Sequence, residues 1–198
     1  MTSIVLASRS AARVALLKAA GVSFTASPSI IDEREVEAPL VGKAASAAEI
    51  ASALAEKKAL DVSSRSPGAL VIGADQTLSC DGKRWSKPAN AAEARKQIGD
   101  LAGRTHELHS AVAVVRDGKV AWRHNETARL TMRPLTEAAI DTYLAEAGDA
   151  ALGSVGAYQI EGPGIRLFEK IDGDYFTVLG LPLLPLLLYL RGEGALSW

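Results

Sequence analysis

Short apolar runs alternate with polar, alanine-rich stretches along most of the chain, a pattern typical of an α/β protein. The apolar run 70–72 ends at Gly73-Ala74, and residues 77–80 can continue it as a strand. Capping residues such as Ser46 with Glu49 mark where helices begin. Further strands are predicted at 4–7, 22–31, 83–86, 105–115, 120–132, 165–171 and 175–179, and helices at 10–20, 46–60, 90–98 and 136–147.

The carboxyl-terminal stretch LGLPLLPLLLYL is the most hydrophobic part of the chain. It is shorter than the ~20 apolar residues that span a bilayer. We therefore predict a buried helix, with Pro182 and Pro185 in its first turn, where a missing N–H does little harm. No membrane partner is expected.

Length and composition predict one globular domain with a substantial core, since the chain has 198 residues and is 48% hydrophobic. The net charge of -1 argues against nucleic acid as a partner, because no broad basic surface is available. Cys80 is the only cysteine, which excludes an intrachain disulfide and a multi-cysteine zinc site. The amino-terminal sequence does not resemble a secretory signal, so we predict a cytoplasmic protein.

Asp75 is the first candidate for chemistry, because it follows the buried run 70–72 directly. The carboxyl ends of buried strands open into the crevice where α/β proteins bind ligands, so Asp75 is a candidate metal ligand or base. The Asp81-Gly82 turn can return the chain as a hairpin and bring Lys87 near this carboxylate. The alternative is that both residues lie on solvated faces.

The amino-terminal loop is a candidate phosphate site. A predicted strand is followed by the short polar loop from Ser8 to Ser10 and then by a helix whose first turn carries Arg13. Free N–H groups and the helix dipole favour an anion at such a place. The alternative is that Ser10 only caps the helix and that Arg13 is a surface cation.

Other polar groups leave their roles open. The acidic run 32–35 follows a predicted strand and could complete a metal site beside Asp75, or it could be a solvated loop. Lys57 and Lys58 both lie at the margins of the buried stripe of their helix, where a lysine can reach solvent or a ligand. The glycine-rich region 153–164 is either a substrate-facing loop or a tight connection.

Eight segments in order resemble the Maf family, nucleoside triphosphate pyrophosphatases once described as septum-formation inhibitors. They are LASRSAARVALL, IDE, AEKKA, GADQT, SKP, GRTHELHSAVAV, GAYQIEGPG and DGDYFTVLGLPL. The resemblance implies a single Maf-like domain over residues 1–198, with two lobes that share an elongated mixed β-sheet flanked by helices around a deep central cleft. It also implies a homodimer that cleaves a nucleoside triphosphate between its α and β phosphates with a divalent cation, Mg²⁺ or Mn²⁺.

The resemblance also implies roles for individual residues. Asp75 matches the catalytic acid of the family and, with Glu33, its metal-associated acids. The matched substrate-binding positions are Ser8, Ser10, Arg13, Lys58 and Lys87. Ala11 and Ala12 depart from the family, which commonly has proline and then arginine or tryptophan there, so a specificity contact is missing.

Gln76 and Glu161 resemble the branch of the family that acts on 7-methyl-GTP rather than the branch that acts on dTTP and UTP. A carboxylate at Glu161 could accept hydrogen bonds from a guanine N1–H and amino group. A rival hypothesis is a non-catalytic regulator of cell division that binds a nucleotide or a protein. The acids and cations at every matched position argue against it.

Overall fold

The structure is a computed structural model and describes residues 2–198. Over these residues the chain forms seven strands and seven α-helices. The strands are β1 (Ile4–Leu6), β2 (Thr25–Ala26), β3 (Leu70–Cys80), β4 (Lys83–Trp85), β5 (Thr105–Arg116), β6 (Lys119–Met132) and β7 (Phe168–Asp172). The helices are α1 (Ala11–Ala19), α2 (Glu33–Val41), α3 (Ala47–Ser63), α4 (Ala91–Leu101), α5 (Glu137–Ala147), α6 (Tyr175–Val178) and α7 (Leu183–Gly192).

The strands form one mixed sheet in the order β2-β1-β3-β5-β6-β7, with β4 paired to β3. β1 lies parallel to both β2 and β3, with Val5 opposite Thr25 and Val71. β4 runs antiparallel to β3, and β7 runs antiparallel to β6. A mixed sheet flanked by helices is therefore confirmed.

The chain divides into two compact units. The first comprises residues up to Gln76, His109–Glu126 and Asp174–Trp198. Successive side chains along each of its strands point to opposite faces of the sheet, so each face has its own core. Leu70 and Ile72 of β3 join the core formed with α1 and α7, whereas Val71 joins the core formed with α3.

Gly73 lets α3 approach the sheet closely. A Cβ atom at this position would lie 2.1 Å from the carbonyl oxygen of Ala55 and 2.7 Å from the backbone nitrogen of Ala59. No side chain fits in that space, because real Cβ contacts are much longer. Ala51 and Ala55 of α3 also pack against Ala111 and Ala113 of β5, so small residues let the helix lie close to that strand as well.

The second unit comprises Thr77–Leu108 and Thr127–Gly173. Arg95 of α4 binds two acids of α5, with an Nε–Oδ1 distance of 2.8 Å to Asp141 and a further ion pair to Glu137. The core of the second unit includes His106, which is buried. Its Nε2 atom is 2.6 Å from the hydroxyl oxygen of Tyr158. Burial lowers the pKa of His106 to about 4.

Three predicted elements differ from the structure. The predicted strand 22–31 is only the two residues of β2, and the following acids begin helix α2 instead of forming a loop. The predicted strand 165–171 is present as β7 after a 3₁₀ helix at residues 163–167, but the second strand of the predicted hairpin is wrong, since α6 takes its place. Asp174 explains α6, because its carboxylate accepts a hydrogen bond from the backbone nitrogen of Thr177 at 2.9 Å and caps the helix.

The carboxyl-terminal helix is confirmed, with Pro182 at its N-cap and Pro185 in its first turn. It is buried on one face only. Leu183, Leu186 and Leu190 are buried, whereas Leu184 and Leu188 are exposed. Among residues 2–198, no helix combines the length and the apolar character needed to cross a membrane.

Candidate functional site

Lys58 lies between two carboxylates in the first unit. Its Nζ atom is 2.5 Å from Oδ1 of Asp75 and 2.7 Å from Oε1 of Glu33. The side chains of Lys58 and Asp75 are 12% and 11% exposed, whereas that of Glu33 is 52% exposed. The arrangement is therefore an enclosed ion pair with a second, outer acid.

Three elements bring these residues together. β3 carries Asp75 inside one continuous strand, two residues after Gly73 and on the same face. Asp75 is thus not placed beyond a strand end as predicted, because the strand continues to Cys80. The close approach of α3 at Gly73 brings Lys58 within reach of Asp75. Glu33 is the first residue of α2.

Burial and neighbouring charges shift the pKa values of Asp75 and Arg13 in opposite directions. Burial raises the pKa of Asp75, and the positive charges of Lys58 and Arg13 act against that rise. Burial lowers the pKa of the Arg13 guanidinium, and the charges of Asp75 and Glu33 act against that fall. A carboxylate with a raised pKa is a better proton acceptor than an exposed one.

Arg13 is a buried residue that joins three distant parts of the chain. Its Nε donates to the carbonyl oxygen of Gly180 at 2.8 Å. Its Nη1 donates to the carbonyl oxygen of Ala74 at 2.9 Å and contacts Oγ of Ser8 at 3.3 Å. The alternative that Arg13 is a surface cation is therefore wrong.

Gly180 is shaped to accept this arginine. Its backbone has a φ of 89°, which L side chains rarely adopt, and an added Cβ would lie 3.3 Å from Nη2 of Arg13. The glycine thus allows its own carbonyl group to meet the guanidinium.

Ser10 caps α1, since its side chain accepts a hydrogen bond from the backbone nitrogen of Arg13 at 3.4 Å. The backbone nitrogen of Ser10 donates to Oγ of Ser8 at 3.2 Å. Capping is confirmed for Ser10. Phosphate binding by Ser8, Ser10 and Arg13 stays a prediction.

Gln76 points to the face of β3 opposite Asp75, as expected for neighbouring residues of a strand. Its Nε2 lies 2.9 Å from Oγ of Ser110 and 3.1 and 3.0 Å from the carbonyl oxygens of Thr177 and Val178. These contacts fix the amide orientation and leave its oxygen as the atom that can accept a hydrogen bond.

Lys87 and Glu161 lie in the second unit. Lys87 is exposed after β4, before the buried Pro88, and Glu161 is exposed shortly before a 3₁₀ helix that begins at Pro163. Their substrate contacts stay predictions.

The acids of the site are suited to a divalent cation. Among the residues that the structure describes, no group of three or more His, Cys, Asp or Glu side chains is arranged to hold a metal ion. Asp75 and Glu33, however, each place one oxygen within 2.7 Å of the same cationic nitrogen of Lys58. Two carboxylates that converge on one positive charge fit Mg²⁺, which commonly binds one or two carboxylates together with substrate phosphates.

The sequence prediction missed the residues that position the others. Gly73 interrupts an otherwise apolar, β-branched strand, and a glycine inside a strand often marks close approach of another backbone, so a signal was present. Gly180 gave no comparable signal. Ser110 and Thr177 contact Gln76 across separations of 34 and 101 residues, which no local pattern reveals.

Comparisons with known proteins show the family to which the chain belongs. The family described as "Maf-like protein" matches residues 3–193. The "7-methyl-GTP pyrophosphatase" of Brucella abortus is 56% identical over 194 residues, covering 98% of both chains. The "Nucleoside triphosphate pyrophosphatase" of Rhodopseudomonas palustris is 55% identical over 195 residues, covering 98% of this chain and 96% of that protein.

Among solved structures, a HAM1 protein from Coxiella burnetii is similar, with a TM-score of 0.47 and 17% identity over 67% of this chain and 73% of that one. The family match covers almost the whole chain, and the relatives match it from end to end. The chain therefore belongs to the Maf family.

Proposed function

We propose that this protein is a nucleoside triphosphate pyrophosphatase, which hydrolyses the bond between the α and β phosphates and releases a monophosphate and pyrophosphate. The observation that carries the proposal is the enclosed Asp75–Lys58 ion pair with Glu33 beside it. The barrier to this reaction is mostly electrostatic, since charge on the phosphoryl oxygens must be neutralised and a water must be aligned.

Asp75 is the residue best placed for proton or cation chemistry. It is fixed on a central strand, it is buried, and burial raises its pKa. In our proposal Asp75 either accepts the proton of the attacking water or, together with Glu33, would hold a divalent cation. Both roles need the carboxylate, so neither survives its replacement by an amide.

A divalent cation is part of the proposal. Asp75 and Glu33 would hold Mg²⁺ or Mn²⁺, and the ion would neutralise charge on the α phosphate and lower the pKa of the attacking water. Lys58 would then be free to turn its ammonium from the two carboxylates to a phosphate oxygen.

Phosphate binding falls to the amino-terminal helix and the nearby cations. Arg13 donates from Nε and Nη1 to backbone carbonyl groups. In our proposal its positive charge and its Nη2 group act on the phosphates. Ser8 and Ser10 lie at the start of α1, where free N–H groups and the helix dipole favour an anion. Lys87, as the resemblance implies, would add a third cation to the phosphates.

The substrate we propose is 7-methyl-GTP, because several relatives are named 7-methyl-GTP pyrophosphatases. Gln76 can offer only its amide oxygen, and Glu161 is a carboxylate, so both present hydrogen-bond acceptors. A guanine edge has two neighbouring donors, N1–H and the amino group, whereas a uracil or thymine edge has one. Methylation at N7 adds a positive charge, which favours the carboxylate of Glu161 further.

The test is a pyrophosphate-release assay with 7-methyl-GTP, GTP, dTTP and UTP, each with and without Mg²⁺. We expect highest kcat/KM for 7-methyl-GTP and loss of turnover in Asp75→Asn. The matched control is Asp100→Asn, because Asp100 lies on α4 and pairs with Lys96. Full activity of Asp75→Asn would remove this residue from the mechanism, and preference for dTTP or UTP would overturn the substrate.

The homodimer is likewise a proposal that follows from the resemblance alone. Size-exclusion chromatography with light scattering tests it, and a monomer at the concentrations used in the activity assay would refute it.

A further inference from the structure

Lys58 and Asp61 lie three residues apart on one face of α3, which ends at Ser63, and Arg65 lies in the turn that follows the helix. Lys58 contacts the acid that opens α2, as described above. The other two contact the backbone of the segment that leads into α2.

Asp61 and Arg65 hold this segment by its backbone. Oδ2 of Asp61 accepts a hydrogen bond from the backbone nitrogen of Ile30 at 3.1 Å. Nη2 of Arg65 donates to the carbonyl oxygen of Pro28 at 2.9 Å. The two side chains also bind each other through both carboxylate oxygens, at 3.1 and 3.2 Å. The pair acts as one unit, which we call the α3 clamp.

The segment held by the clamp has little packing of its own. Within the described chain, none of residues 23–49 is buried, although the range includes the whole of α2. Ile30 and Val41 are 77% and 55% exposed. Because few apolar contacts fix such a segment, its polar contacts to α3 contribute a large share of its order.

We propose that Asp61 and Arg65 are positioning residues, which set the place of Glu33 by fixing the backbone at Pro28 and Ile30. The inference rests on the proposed function, in which Glu33 and Asp75 share a divalent cation. Asp75 is fixed by its strand and needs no such support, whereas Glu33 depends on an exposed segment. Groups that orient a metal ligand commonly change metal affinity or activity by 10 to 100-fold when removed.

The first experiment measures the affinity for Mn²⁺ in the absence of nucleotide. Electron paramagnetic resonance gives the concentration of free Mn²⁺. We expect Asp61→Ala and Arg65→Met each to weaken binding by about tenfold. The matched control is Glu56→Ala, since Glu56 lies on the same helix and pairs with Arg123, at 2.7 Å, instead of contacting the segment. The control should bind Mn²⁺ as the wild type does.

A double-mutant cycle separates positioning from general stabilisation. If Asp61 acts through Glu33, Asp61→Ala should cause no further loss of Mn²⁺ affinity once Glu33→Gln is present. Additive losses would overturn the inference. Hydrogen exchange of the amides of residues 28–36 gives a second readout, and we expect faster exchange in Asp61→Ala with no change in Glu56→Ala.

Activity distinguishes failure of this inference from failure of the proposed function. If the wild type binds Mn²⁺ and the clamp variants bind it more weakly, but the wild type releases no pyrophosphate, the function fails and the clamp stands. If the wild type is active but Asp61→Ala has unchanged Mn²⁺ affinity, exchange and kcat/KM, the clamp fails and the function stands. A wild type that binds no Mn²⁺ also overturns the clamp.

Discussion

Replacing Gly73 by alanine should separate Lys58 from Asp75. The new Cβ atom would lie 2.1 Å from the carbonyl oxygen of Ala55 and 2.7 Å from the nitrogen of Ala59. Both are backbone atoms of α3, so no flexible side chain can move aside. The helix must shift outward by roughly an ångström to restore an ordinary contact of at least about 3.4 Å, since protein interiors are packed without spare room.

The cost of Gly73→Ala follows from this shift. Inserting a methyl group into a packed core typically costs about 1–3 kcal/mol, and a clash with rigid backbone belongs at the upper end. We therefore expect the free energy of unfolding to fall by about 3 kcal/mol. Lys58 lies on the displaced helix and its ammonium contacts Asp75 at 2.5 Å, so the same shift should also reduce kcat/KM.

Urea denaturation followed by circular dichroism measures the stability change, and the pyrophosphate-release assay measures the activity. Gly99→Ala is the control, because Gly99 lies inside α4 and an added Cβ would meet Ile140 at an ordinary 3.8 Å. That change should stabilise the protein by about 0.5–1 kcal/mol, as alanine usually does inside a helix. A Gly73→Ala protein as stable and active as the wild type would refute the close-approach argument.

Three further changes test separate parts of the structure. Gly180→Ala should raise the KM for the triphosphate, because a side chain at its φ of 89° is strained and would press on Arg13, and an unchanged KM would contradict this role. Lys87→Ala should lower kcat/KM on the order of 10²-fold in steady-state assays, and an unchanged kcat/KM would reject its assignment. For His106, burial lowers the pKa to about 4, so the unfolded chain binds more protons below pH 6.5 and stability falls as the pH drops. Urea titrations should show this contribution as about 2 kcal/mol lost between about pH 8 and pH 5, and a His106→Gln protein that loses as much would refute it.

Elements defined by local interactions could be predicted from the sequence. The helix α3 begins where Ser46 and Glu49 form a capping box, with the Ser46 nitrogen donating to the Glu49 carboxylate at 2.7 Å. Asn90 caps α4, since its side chain accepts a hydrogen bond from the backbone nitrogen of Glu93 at 2.9 Å. These contacts span three residues, so the sequence itself displays them.

Elements that depend on tertiary contacts were predicted less well. α2 contains Pro39, which removes a backbone donor from the helix, and an acidic start that is also typical of a solvated loop. The segment before α2 looks apolar enough for a strand, yet only Thr25 and Ala26 find a partner in β1. Polar contacts to Lys58 and Asp61 of α3 and pairing with β1 join these elements to distant parts of the chain, which local preference does not reveal.

The site was predicted in its parts but not in its geometry. The resemblance chose Lys58 over Lys57, and the structure gives the physical reason, since Lys58 contacts both Asp75 and Glu33 whereas Lys57 is exposed. Its meeting with Asp75 depends on Gly73, which sets the distance between a helix and a strand. Such a distance is a property of the packed protein and cannot be derived from residue spacing.

Arg13 has a consequence for when the protein becomes active during synthesis. Its guanidinium donates a hydrogen bond to the carbonyl oxygen of Gly180, which lies 167 residues later in the chain. The ribosome releases the carboxyl-terminal part of a protein last, so a nascent chain holds Arg13 without its final partner. A nascent chain that has not yet reached Gly180 should therefore bind triphosphates poorly, and so should fragments that stop before this residue, even if their sheet has formed.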